Sequence, residues 1–184
     1  MTQTRRALIF GMGAATALAA CGNGVGGAGA ATIDARADST VNQMYSQYPG
    51  TRALGQKAAG ILVMPLVTEA GLGFGGAYGR GALRVGGATV DYYSLVKGSG
   101  GLQIGAQQYA HVLFFMTDSA LMNFRRSPGW AAGANIEYAI PEGGETLAAE
   151  TTTSLAPIIA VIFGKSGLHV GATLEGVKYT RIIP

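Results

Sequence analysis

The chain has 184 residues, 13 Lys and Arg against 10 Asp and Glu, and a single cysteine. One cysteine excludes a disulfide framework and a thiolate metal cluster. The near balance of charge excludes the strongly basic face of a nucleic-acid binder.

In chain order, the first feature is Arg5-Arg6 followed by an apolar run from Ala7 to about Ala17 and then Leu18-Ala19-Ala20-Cys21. A positive start, an apolar middle and a small-residue exit make a secretory signal peptide. The cysteine stands where it would be first in the processed chain, and the stretch resembles a bacterial lipoprotein signal. That resemblance implies cleavage after Ala20, a thioether from Cys21 to diacylglycerol and acylation of the new amine. The alternative is an ordinary secretory peptide followed by a free thiol. Without an acid after Cys21-Gly22, the expected destination is the outer membrane, facing the periplasm. Twin-arginine and general export are not distinguished.

Residues 21–31 continue as CGNGVGGAGAA, uncharged and without large side chains. They read as a tether with a reach of roughly 18 Å for ten flexible residues. Residues 32–184 are then one domain. No run in it approaches the roughly 18 apolar residues of a spanning helix.

Over 33–48 the apolar residues Ile33, Ala37, Val41, Met44 and Tyr48 recur at helical spacing. Thr32 is the expected N-cap, and Pro49-Gly50 the stop. A second short helix is expected over 51–59. Both should cover one face of a sheet.

After Gly60 the pattern turns to short apolar runs between glycines. Strands are expected at 61–64, 71–78, 82–85, 90–96 and 102–116, with Gly86-Gly87 as a hairpin turn. A helix over 117–124 opens with Thr117 as N-cap and Asp118 inside it. Further strands are expected at 134–140, 146–153, 158–163, 168–175 and 177–183. Helices first, then hairpin-spaced strands with one inserted helix, give an α+β fold: N-terminal helices on a largely antiparallel, glycine-rich sheet.

Motifs of chemistry are sparse. Residues 71–76 (GLGFGG) satisfy G-x-G-x-x-G, but no helix pattern follows, so a dinucleotide site is not expected. Gly71, Gly73 and Gly75 share one strand face, where another element can approach closely. Neither His111 nor His169 has a carboxylate or cysteine at ligand or triad spacing. Thr151-Thr152-Thr153-Ser154 has no basic partner nearby. No enzyme, cofactor or metal is expected. The remaining polar signal is basic: Arg80, Arg84, Lys97, Arg125, Arg126, Lys165 and Lys178 are the candidate ligand-binding residues, suited to anionic lipid headgroups if they share a face.

Residues 59–67 (AGILVMPLV), 70–76 (AGLGFGG) and 79–81 (GRG) resemble the opening of the SYLF domain. So do 101–107 (GLQIGAQ) leading into 113–117 (LFFMT), and the closing blocks 151–153, 156–159, 163–168 and 174–176 in the same order. The resemblance covers about 31–183. It implies lipid binding, with phosphoinositide and actin binding among eukaryotic members. Glu69 stands where the family often has a basic residue, which argues against carrying an anionic-lipid site onto that segment. Actin is not an expected partner of a chain with a bacterial lipoprotein signal. The expectation is a non-enzymatic lipid-binding domain anchored through Cys21. The alternative is a structural or protein-interaction module of the envelope with a protein partner.

Overall fold

The computed structural model describes residues 27–132, 136–139, 156–167, 174 and 176–184. The signal segment, Cys21, His169, the hydroxyl run 151–154 and the strands expected at 146–153 and, Leu174 apart, 168–175 lie outside the described residues.

Helix α1 (Ala28–Gln47) buries Ala30, Ile33, Ala37, Thr40 and Met44, the 3–4 spacing read from the sequence. It starts five residues early. Gly27 is its N-cap, and Thr32 lies inside the helix, its hydroxyl donating to the Ala28 carbonyl at 2.7 Å. Residues 28–31, read as tether, are therefore helical. Three alanines, the strongest helix formers, extend the helix there, and Ala30 packs inward. Helix α2 (Thr51–Lys57) follows the Pro49-Gly50 break.

The five strands expected between Gly60 and Phe115 are two. β1 (Gly60–Val85) and β2 (Ala88–Phe115) form one long antiparallel hairpin around Gly86-Gly87. Both turn glycines have positive φ, 57° and 83°, as a two-residue hairpin turn requires. Register shifts at Met64/Val67, Leu72/Phe74 and Leu83/Arg84 interrupt the alternation that marks a continuous strand. Helix α3 (Asp118–Arg126) opens as expected, with the Thr117 hydroxyl accepting from the Ala120 amide at 3.2 Å. β3 (Trp130–Ala131), β4 (Ile136–Ala139), β5 (Ile158–Gly167) and β6 (Val177–Ile182) complete the described sheet.

Six strands form one sheet, ordered β3-β6-β2-β5-β4, with β1 on the other edge of β2. Every pairing is antiparallel except β4 with β5. The α+β architecture is the one expected.

The sheet has two apolar sides. Val63, Ala82, Val112, Phe114, Ile159 and Val161 pack under α1 and α2. Leu62, Met64, Leu83, Leu113, Phe115 and Tyr179 face inward, with Phe124 of α3. The curl closes where β1 meets itself. A Cβ on Gly81 would sit on the Val63 carbonyl oxygen and the Met64 sulfur, and one on Gly79 would lie 2.9 Å from the Leu66 carbonyl. The close approach expected of a glycine face thus occurs at Gly79 and Gly81. The surroundings of Gly73 lie outside the described side chains.

Candidate functional site

The corner made by Gly79 and Gly81 creates a groove. On one wall are Pro65, Leu66 and Thr68. On the other are Tyr78, Gly79 and Arg80, and the first turns of α1 lie across it with Thr32, Ile33 and Arg36. Its volume is about 430 Å³, within the range of small-ligand sites. Arg36 and Arg80 are exposed and form no ion pair among the described residues. Two guanidinium groups, three hydroxyls and an apolar rim suit a phosphate joined to an apolar body, because guanidinium matches phosphate bidentately.

The other basic residues do not converge on this groove. Arg84 pairs with Asp38 and donates to the Asp34 carbonyl at 3.3 Å. Thr89 and Tyr92 donate to the Asp34 carboxylate at 2.8 and 2.7 Å. This cluster fastens α1 to the hairpin. Burial first, and then the Asp34 carboxylate, push the Tyr92 phenol up to about 12.

Lys97 is buried and faces inward, 3.4 Å from Glu69, which also accepts from Gln107 at 2.9 Å. It does not face a bilayer. Glu69 accordingly lies on the inner face of a strand, and no headgroup site is lost through it. Arg125 pairs with Asp91 at 2.9 Å, and Asp91 also meets Arg181 at 3.3 Å. Arg126 is exposed in the last turn of α3, and Lys178 is exposed on β6. Lys165 belongs to β5, and its side chain lies outside the described residues. Of the residues proposed from sequence, Arg80 alone lines the groove. Arg36 was missed: on sequence it is one polar residue of an amphipathic helix, and only the packing of α1 on β1 brings it beside Arg80.

The interior holds a second polar group. His111 is 0% exposed, and its Nε2 lies 2.8 Å from the Tyr179 hydroxyl. Its Nδ1 has no partner among the described residues. Burial pushes the imidazole down to about 3, so it stays neutral in the folded chain. It serves packing. No carboxylate or nucleophile bonds to it, and no group of three His, Cys, Asp or Glu gathers as metal ligands among the described residues.

A pH dependence follows. The unfolded histidine takes a proton near 6.5 and the folded one only near 3, so the unfolded state binds more protons between those values. Stability is full above 6.5 and falls as pH drops, at about 1.4 kcal/mol per pH unit. Between pH 7 and pH 5 this single group should remove about 2 kcal/mol. Urea unfolding of wild type and His111→Gln at both values checks it: the variant should lose that much less. Equal losses would show that His111 does not carry the effect.

Residues 96–181 match the family model Ysc84, described as Las17-binding protein actin regulator. Over that stretch the chain is similar to the SYLF family. The match runs from the middle of β2 through α3 to the end of β6. The family is one of binding and regulatory domains rather than of enzymes. No curated protein matches the chain. The groove residues Arg36 and Arg80 precede the matched SYLF stretch, so their chemistry rests on geometry alone.

Proposed function

We propose that this protein is a lipid-anchored, periplasm-facing component of the bacterial outer membrane whose SYLF-family domain binds anionic phospholipid headgroups without catalysis. The observation that carries the reading is the groove: Arg36 and Arg80, free of ion pairs among the described residues, stand over an apolar rim at the start of α1. The polypeptide leading from Cys21 enters the fold there, at Gly27. The lipoprotein-like signal supports the anchor, and the SYLF match supports a binding role.

Vesicle flotation of the mature chain carrying Cys21→Ser tests the headgroup part without the anchor. Binding should be stronger on vesicles with phosphatidylglycerol than on neutral phosphatidylcholine, and salt should weaken it. A basic residue near an anionic surface contributes about 1 kcal/mol, so Arg36→Ala with Arg80→Ala should lower the partition coefficient roughly thirty-fold. Arg126→Ala, on α3, should change it little. Equal flotation on both lipids, unaffected by the double variant, would remove the headgroup reading and favour a protein-interaction module of the envelope.

A further inference from the structure

The groove opens onto a part of the sheet that no described helix covers. Strand register puts Tyr78 beside Val96, Val96 beside Lys178, and Lys178 beside Ala131. One row of side chains therefore runs across β1, β2, β6 and β3 on a single face. The next row is Arg80, Ser94 and Thr180. Beyond these, Ala82 and Tyr92 lie in the row that α1 covers, where Ala82 belongs to the helix-packed core. The cover stops one row short of Arg80.

What remains bare is apolar and basic. Tyr78 is 55% exposed and Val96 54%, and Leu66 on the groove wall is 42% exposed. A Cβ added at Gly98, two residues along β2 from Val96, would meet nothing within 4 Å. No carboxylate stands in either row, whereas Arg80 and Lys178 do. Large apolar side chains exposed together mark an interaction surface, and tyrosine with flanking cations is the composition of a membrane interface.

The chain entry selects the occupant. Gly29, in the first turn of α1, lines the groove together with Tyr78 and Arg80, at the margin of this face. Five residues separate Cys21 from Gly27, a span of at most about 20 Å when fully extended. A lipid on Cys21 must then hold this margin of the domain within that distance of the bilayer. We infer that the bare outer face of β1, β2 and β6, centred on Tyr78, Val96 and Lys178, lies against the anionic phospholipid surface, with the Arg36–Arg80 groove at its edge. The inference rests on the lipid-anchored reading above and adds the orientation of the domain.

The test uses the full lipid-anchored chain in vesicles of phosphatidylcholine and phosphatidylglycerol. Cys21 carries the anchor and the sequence has no other cysteine, so Val96→Cys supplies one labelling site for an environment-sensitive fluorophore. Met122→Cys is the reference: Met122 is 47% exposed on α3, whose apolar side packs into the opposite, inner face of the sheet. The label at 96 should shift to the blue and be quenched several-fold more by nitroxide-bearing lipid than the label at 122. Equal quenching, or stronger quenching at 122, with the chain still floating, would overturn the orientation and leave the anchored reading intact. A wild-type chain that does not float with vesicles would overturn both.

Discussion

Gly81→Ala is expected to lower the thermal midpoint by several degrees, while Gly98→Ala leaves it unchanged or raises it slightly. Both glycines lie in long strands of one hairpin and neither has a positive φ. The same methyl group therefore probes space alone. At 98 it enters solvent, where losing a glycine only trims the freedom of the unfolded chain, a gain of about 0.4–1 kcal/mol. At 81 it meets the carbonyl oxygen of Val63, a backbone atom that cannot swing aside as a side-chain end does. Accommodation requires the two halves of β1 to separate, which opens the inner core around Met64 and Leu83. Overpacking of this kind costs about 1–3 kcal/mol, and 1 kcal/mol moves the midpoint of a domain this size by about 2–4 °C. Similar midpoints for the two variants would mean that the corner does not depend on the missing Cβ. Gly79→Ala, whose Cβ would lie 2.9 Å from the Leu66 carbonyl, should fall between them.

That corner also shows what the sequence makes legible. The α1 stripe, the Gly86-Gly87 turn and the Thr117 cap are local patterns, and each appears where the residues put it. The continuity of β1 is not local. Pro65 and the register shift between Met64 and Val67 break the two-residue alternation, so one bent strand reads as three. Glycines at 71, 73, 75, 79 and 81 advertise close packing, but choosing which of them touches backbone requires the fold of the hairpin upon itself.

The site was less legible than the fold for a related reason. Arg84, Lys97 and Arg125 look alike in sequence. Their neutralising partners lie 28 to 46 residues away, at Asp38, Glu69 and Asp91. Removing those three leaves Arg80, Arg126, Lys165 and Lys178, of which Arg80 and Lys178 share one sheet face, and α1 then adds Arg36. The signal-like pattern ending at Cys21, by contrast, is wholly local.

Cys21→Ser is expected to move the protein from the membrane fraction into the soluble one almost completely. The reading rests on Leu18-Ala19-Ala20-Cys21 after an apolar run, and the expected effect is large because the proposed attachment is covalent lipid. Three acyl chains of about 15 methylenes each, at ~0.8 kcal/mol per buried CH₂, hold far more firmly than surface charges at about 1 kcal/mol apiece. Fractionation of cells expressing wild type or variant, followed by a high-salt wash, separates the contributions. A wild-type chain found soluble would end the lipoprotein reading. Variant that stays on the membrane and resists salt would mean that the domain inserts apolar surface strongly by itself, leaving the anchor redundant. The intermediate result is the expected one: a small residual fraction of the variant, removed by salt and diminished further by Arg36→Ala with Arg80→Ala. The proposed lipid on Cys21 would hold the domain near the bilayer at high effective concentration. Contacts from a groove with two arginines then need only modest strength to orient the domain, and a nearly neutral domain is sufficient for that task.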